Sequence, residues 1–221
     1  MRRRRQRDDE VTDVERTDHR LEIAATLLLA LAAIATAWAT YQSAVWRGKQ
    51  SEAQSASIAA RVESTREAGV ANRQAQVDLA LFTQWIDAYA QHRTELTDFY
   101  RRRFRDEFVP AFSAWVATKP LENPNAPLSP FAMPQYKLAA STKADALEEQ
   151  AAEFSRTVAR NVDRSDSYML AVVLFAISLF FAALSTRMPS RDIRVVLLAF
   201  GYVLFVGTTV WLATQPVNVS F

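Results

Sequence analysis

The chain has 221 residues, half of them apolar, and its net charge is only +2. It therefore lacks the overall basic field with which many proteins attract nucleic acid. It has no cysteine and only four glycines, which excludes disulfides, cysteine-based nucleophiles or metal sites, and a glycine-rich phosphate loop. The apolar residues are concentrated in three long blocks, a distribution typical of a membrane protein.

The first segment, residues 1–20, mixes many arginines with acidic residues. We expect it to be a disordered cytoplasmic tail. The acidic residues and the long apolar stretch that follows do not fit a cleaved signal peptide, so we expect the first span to remain uncleaved. The basic start could attract anionic lipid or nucleic acid, but a topology signal is the simpler interpretation and no nucleic-acid partner is expected.

Three apolar segments are predicted to be transmembrane helices, at residues 21–46, 167–186 and 195–214. Each is close to the roughly 20 residues that cross a bilayer core of about 30 Å. Because lipid offers the backbone no hydrogen-bond partners, these segments must be helical. Three core helices of a soluble protein are the alternative, but a chain of this length could not cover all three.

Arginine placement predicts the orientation, since basic residues in short loops stay in the cytoplasm. The tail and the short loop 187–194 are both rich in arginine, and both lie on the same side of a three-span chain. We therefore expect the N-terminus inside, with residues 47–166 and the tail 215–221 outside the cytoplasm. Aromatic residues mark the outer ends of the spans: Trp38, Tyr41, Trp46, Tyr168 and Trp211.

The segment 47–166 is predicted to be an extracytoplasmic helical bundle, which makes the fold class an all-α membrane protein. A long helix should continue from span one to about Ala90, with coiled-coil spacing of its apolar residues. A second helix should run from Thr94 to Val116, kinked at Pro110. A proline-rich loop follows, and a third helix should enter span two. Four apolar side chains are expected to hold the loop against the bundle: Phe112, Trp115, Phe131 and Met133.

The helices that leave span one and enter span two should be antiparallel neighbours. Taking Trp46 and Tyr168 as equal in height places Arg47 level with Asp166, and Lys49 near Arg164 or Asp163. We expect these charges to form a structural collar at the headgroup level, with a ligand site as the alternative. The same register predicts an apolar seam between the two helices, formed by Ile58, Val62, Phe154 and Ala151.

A basic cluster is the second candidate surface, formed by Arg101, Arg102, Arg103 and Arg105. Acidic residues flank it at helical spacings, which favours mutual ion pairing. These acidic residues are Glu95, Asp98, Asp106 and Glu107. Binding of anionic lipid or of an anionic polymer is the alternative interpretation of the cluster.

Two stretches carry a resemblance, the run RFRDEFVPAFSAWVATKPLENPNAPLSPFAMPQY and the later run SDSYMLAVVLFAISLFFAALS. From about Trp38 onward the chain resembles a family of uncharacterised bacterial membrane proteins with three spans and an extracytoplasmic helical domain. The resemblance implies the bacterial cytoplasmic (inner) membrane and the same layout. The family has no known activity, so it implies no catalytic or binding residues.

No catalytic, cofactor-binding or metal-ligating pattern is visible, and we expect no enzymatic activity and no cofactor. The two histidines, His19 and His92, lack the partners that a catalytic triad or a zinc motif requires. A sensor would need a partner protein to carry its output. The favoured interpretation is an envelope scaffold or interaction protein that acts through its outer helical domain. Its partners would be the lipid bilayer and a second copy or another envelope protein. An oligomeric channel or transport accessory subunit is the alternative, weakened because no ionisable group lies at bilayer depth.

Overall fold

Helix dominates the chain in the computed structural model, which describes the backbone of residues 2–120 and 122–217 and the side chains from residue 19 onward in those ranges. Five α-helices and one 3-10 turn follow one another, and the described residues include no strand. The elements are α1 (Arg2–Ala90), α2 (Thr94–Arg101), α3 (Val109–Ala117), the 3-10 turn (Pro130–Ala132), α4 (Ala139–Ser185) and α5 (Arg191–Ala213).

Three of these helices, α1, α4 and α5, are long and apolar enough to cross a membrane. The prediction of an all-α chain with three potential spans is therefore confirmed at this level. Contacts divide the chain into two compact units. Unit 1 comprises Met1–Ala53 and Arg156–Phe221, and unit 2 comprises Gln54–Ser155. Helices α1 and α4 contribute residues to both units.

Helix α1 begins at Arg2, whereas the sequence predicted a disordered tail over residues 1–20. Neither proline nor glycine occurs before Gly48, and arginine, glutamine and glutamate are good helix formers. The backbone can therefore continue the helix of span one toward the N-terminus. The side chains of the tail arginines up to residue 18 lie outside the described residues.

The predicted single helix from Thr94 to Val116 is instead two helices. Helix α2 ends at Arg101, and Pro110 occupies the first turn of α3. Proline lacks an N–H and would clash with the carbonyl four residues before it inside a helix, but it fits the first helical turn. A new helix start therefore replaces the expected kink.

Close packing and hydrogen bonds between helices hold unit 1 together. The side chain of Leu28 in α1 is fully buried, and a Cβ added to Gly201 of α5 would lie 3.2 Å from it. The hydroxyl of Ser178 in α4 donates to the carbonyl of Gly201 at 2.7 Å, and the hydroxyl of Tyr202 donates to the carbonyl of Ala24 at 2.9 Å. Small residues and satisfied polar groups are typical of helix packing in membranes.

Serine contacts set the register between α1 and α4. In unit 1, the hydroxyls of Ser43 and Ser165 lie 3.1 Å apart. In unit 2, Ser57 donates to the carbonyl of Ala151 at 3.1 Å, and Ser64 donates to that of Ala144 at 2.9 Å. Ser57 also lies 3.0 Å from the hydroxyl of Ser155, so it meets two residues of α4 that are one helical turn apart. The predicted register, which placed Ala151 opposite Val62, was therefore only roughly right.

The predicted apolar seam was wrong, since Ile58 and Val62 are 53% and 64% exposed. The buried face of α1 carries Ser57, Ala60 and Ser64 instead. Small side chains let two backbones approach until a hydroxyl reaches a carbonyl of the facing helix, and the longer branched side chains are excluded from that space.

Aromatic rings form the main core of unit 2. The buried members come from the end of α1, the turn after α2 and helix α3: Phe82, Trp85, Phe104, Phe108, Phe112 and Trp115. Phe131, Met133 and Tyr136, from the segment between α3 and α4, are partly buried against this cluster. The indole N–H of Trp115 donates to the carbonyl of Pro127 at 2.8 Å, which attaches the same segment to α3.

Candidate functional site

A buried carboxylate lies at one edge of the aromatic core of unit 2. The side chain of Asp78, on α1, has no exposed surface. Its Oδ2 accepts hydrogen bonds from Nη1 of Arg105 at 3.0 Å and from the hydroxyl of Tyr136 at 3.2 Å. Its Oδ1 has no hydrogen-bond partner. Arg105 also pairs with Glu107, whose Oε1 accepts from the backbone N–H of Ala139 at 3.2 Å.

This network, which we name the Asp78 cluster (Asp78, Arg105, Glu107 and Tyr136), ties three parts of unit 2 together. Burial raises the pKa of the Asp78 carboxyl, and the opposing effects of Arg105 and Tyr136 do not cancel the rise. Burial and the neighbouring carboxylate raise the pKa of Tyr136 to about 12. The Asp78 carboxylate has no surface at which a substrate could meet it, so the geometry is that of a structural clamp.

A groove of about 520 Å³ lies beside the aromatic core. Its walls are formed by Trp85, Tyr89, Phe112 and Trp115. Ser113 and Val116, both exposed on α3, also line the groove. The indole N–H of Trp85 is buried without a hydrogen-bond acceptor. A groove of this size with aromatic walls suits an apolar ligand or an anchoring side chain of another protein.

Charges at the edge of the groove are balanced. They come from two basic and two acidic residues: Arg101, Lys119, Asp98 and Glu122. Lys119 and Glu122 form an exposed ion pair at 3.5 Å. Such a pair contributes little binding energy by itself, so the aromatic walls dominate what the groove can recognise.

The four arginines of the predicted basic cluster do not form one surface. Arg101 lines the groove, Arg102 is exposed, and the guanidinium of Arg103 lies 3.5 Å from the ring centroid of Phe99. Arg105 is withdrawn into the Asp78 cluster. Of the flanking acidic residues only Glu107 is ion-paired with the cluster within the described residues.

Asp78 was the residue that sequence reasoning missed. It is seven residues after Ala71 and four before Phe82, both of which are buried, so it occupies the core-facing stripe of α1. A lone aspartate on such a stripe requires a cationic partner. That signal, together with Arg105, which lies between aromatic residues in the sequence, could have indicated the Asp78–Arg105 ion pair.

The predicted collar residues lie in unit 1. Arg47 donates through Nε to the hydroxyl of Ser165 at 3.3 Å, and within residues 19–120 and 122–217 it forms no ion pair with Asp163 or Asp166. Both aspartates are exposed. Arg47 thus meets the residue next to Asp166, close to the predicted height, but it is Ser165 that faces α1 at this point.

No protein family, curated protein or solved structure matches the chain. Among the residues with described side chains, no group of three or more His, Asp or Glu is arranged to hold a metal ion. The groove and the charged surfaces of the two units are therefore the features from which a function can be inferred.

Proposed function

We propose that the chain is a non-enzymatic scaffold or interaction protein of a bacterial cytoplasmic membrane. Its N-terminus lies in the cytoplasm, and residues 47–166 form a helical domain outside it. Unit 2 binds a segment of another envelope protein, or of a second copy, and the groove on unit 2 receives an apolar anchor of that partner. Residues of the segment between α3 and α4 pack against the same aromatic core that walls the groove.

The aromatic groove is the observation that carries this proposal. Buried aromatic pockets that receive an anchoring side chain supply much of the binding energy in protein interfaces. The groove has four aromatic walls and balanced charge at its edge, which favours a protein segment over a highly charged small molecule. The acidic group in the most unusual environment of unit 2, Asp78, has no exposed surface, which favours a binding role over catalysis.

Two matched variants of α3 test the proposal. Ser113→Arg places a long side chain into the groove, while Ala117→Arg adds the same side chain to an exposed position of α3 that does not line it. The full chain and both variants are purified in mild detergent from membranes of the native host, and co-purifying proteins are identified by mass spectrometry. Mass photometry measures self-association.

We expect at least one partner, or the self-associated form, to be kept by the wild type and by Ala117→Arg and lost from Ser113→Arg. The reason is that a filled groove no longer admits the anchor of the partner. Identical co-purifying proteins and identical oligomers for all three chains would refute the role of the groove.

A further inference from the structure

Two cationic side chains lie against the Trp46 ring in unit 1, and a third follows Trp46 in the chain. The guanidinium carbon of Arg164 lies 4.5 Å from the ring centroid of Trp46, and Nζ of Lys49 lies 5.6 Å from the same centroid. Arg47, next in the chain, reaches Ser165 through its Nε. We name this group the Trp46 cluster (Trp46, Arg47, Lys49 and Arg164). It brings residues of α1 and α4 together within unit 1.

The cations of the Trp46 cluster lack carboxylate partners. In the part of the chain with described side chains, none of the three forms an ion pair. Their partners are an aromatic ring and a neutral hydroxyl, which orient cations without neutralising them. Like charges held close together repel, so the arrangement favours an anion that binds among them.

The accessible donors suit phosphate oxygens. Arg47 is exposed and bonds to Ser165 through its Nε, which leaves its two terminal nitrogens as further donors. Lys49 and Arg164 are half-buried, which fixes their positions beside the indole. A guanidinium that is held in place binds phosphate with geometric precision, and an ammonium adds a point charge.

The position of the Trp46 cluster in the chain identifies where the anion comes from. The cluster follows directly on the apolar stretch of α1 that ends near Ala44, and precedes the apolar stretch of α4 that begins near Tyr168. Trp38 and Tyr41 are both exposed on the apolar side of the cluster, with ring centroids 5.9 Å apart. Exposed Trp and Tyr are typical of the membrane interface, and a phospholipid offers both a phosphate and acyl chains at that depth.

We infer that the Trp46 cluster binds the phosphate headgroup of an anionic phospholipid, whose acyl chains lie along the exposed aromatic surface of α1. This site is distinct from the groove that carries the proposed function. Loss of lipid binding would leave the groove unchanged, and loss of partner binding would leave the lipid site unchanged.

Native mass spectrometry of the delipidated full chain in detergent tests the site. The chain is titrated with phosphatidylglycerol and, separately, with phosphatidylcholine. The double variant Arg47→Gln/Arg164→Gln removes two cations of the cluster. The matched control, Arg61→Gln/Arg156→Gln, removes two exposed arginines from the same two helices further from the apolar stretches.

We expect the wild type and the control to bind phosphatidylglycerol equally and in preference to phosphatidylcholine. Removal of two cations at about a 5.5-fold loss each should weaken phosphatidylglycerol binding about 30-fold. The charge-preserving variant Arg47→Lys/Arg164→Lys should retain most of the binding. It also provides the comparison if the glutamine variant is poorly folded, as judged by thermal unfolding.

Inorganic phosphate, added at millimolar concentration, distinguishes the two sources of the anion. We expect it to leave the bound lipid in place, because free phosphate lacks the acyl chains. Displacement of the lipid by phosphate would overturn a lipid site in favour of a simple phosphate site. Equal binding of the two lipids, or equal phosphatidylglycerol binding by the glutamine variant and the control, would overturn the inference altogether.

Discussion

At the scale of single residues, the Asp78 cluster shows how one buried charge organises a helical domain. Asp78 has no exposed surface, and Arg105 compensates its charge from the turn between α2 and α3. Burying such an ion pair costs desolvation free energy, and the Coulombic attraction between the two charges offsets only part of that cost. The net contribution of the pair to stability is therefore small. Breaking it is costly, because one charge then stays buried without a partner.

Arg105→Gln should therefore lower the free energy of unfolding by about 3 kcal/mol, since it leaves Asp78 buried and uncompensated. Arg103→Gln is the matched control, because Arg103 belongs to the same predicted cluster but is exposed on Phe99. Its loss should cost no more than about 1 kcal/mol. Denaturant unfolding in detergent, followed by tryptophan fluorescence, measures both changes. Equal destabilisation by the two variants would contradict the importance of the buried pair.

The raised pKa of Asp78 predicts a specific dependence of stability on pH. The folded state holds this proton more tightly than the unfolded chain, whose pKa is near the ordinary value of 3.8. Between 3.8 and the raised pKa the folded state binds more protons, so the free energy of unfolding falls as the pH rises through that window. Asp78→Asn cannot ionise and should flatten this fall.

Melting temperatures measured from pH 4 to pH 7 for the wild type, Asp78→Asn and Asp145→Asn test this dependence. Asp145 is an exposed carboxylate on α4, so its variant should keep the wild-type slope. A slope in Asp78→Asn as steep as that of the wild type would show that other groups cause the pH dependence.

At the scale of helices, close approach is the main principle of packing. In unit 1, Gly201 of α5 faces Leu28 and the backbone of Ser178, and a Cβ at this position would be 3.2 Å from the leucine. Gly207, in the same helix, has nothing within 4 Å of the position of an added Cβ. The same Gly→Val substitution at the two positions changes helix propensity equally, so a difference between the variants reports packing.

Gly201→Val should destabilise the chain by about 1–3 kcal/mol, because the added side chain must push α5 away from α1 and α4. Gly207→Val should be close to neutral. Thermal unfolding in detergent compares the two. If both variants unfold at the same temperature, close contact at Gly201 is not what holds α5 in place.

The helices themselves were predictable from the sequence, while their register was predictable only roughly. A bilayer requires long uncharged segments, so α4 and α5 are visible as apolar runs. The register depends on which small residues meet across α1 and α4, and Ser43, Ser57 and Ser64 give no local sign of their partners. The aromatic height markers Trp46 and Tyr168 gave the approximate height of Arg47, which contacts Ser165, but not which face of α4 it meets.

The candidate sites were predictable only in part for the same reason. The collar residue Arg47 was predicted to pair with an aspartate of α4, but its contact is the Ser165 hydroxyl. The groove depends on α2 and α3 being separate helices, which the interpretation of Pro110 as a kink did not anticipate. Contacts between residues distant in sequence decide such details, and a single sequence does not display them.

At the scale of the whole molecule, the three apolar helices determine which segments share a side of the membrane. In the proposed topology, the N-terminus and loop 187–194 lie on one side, and residues 47–166 and the C-terminal tail lie on the other. The arginines of the tail and of the loop are the residues from which this direction is inferred, because basic residues near spans resist export. Unit 2 is too long a segment for its own charges to follow that rule.

A phosphatase that is active only outside the cytoplasm tests this direction. Fused after Phe221, or inserted near the exposed Asn125, it should be active, whereas inserted at Arg191 it should be inactive. A fluorescent protein that matures only in the cytoplasm should give the opposite pattern at the same three positions. Replacing Arg187, Arg191 and Arg194 together by Gln should lower the fraction of chains in this orientation, because it removes one of the two arginine signals. Phosphatase activity at Arg191 together with fluorescence at Asn125 in the unmodified chain would reverse the proposed topology, and with it the assignment of unit 2 to the outer side.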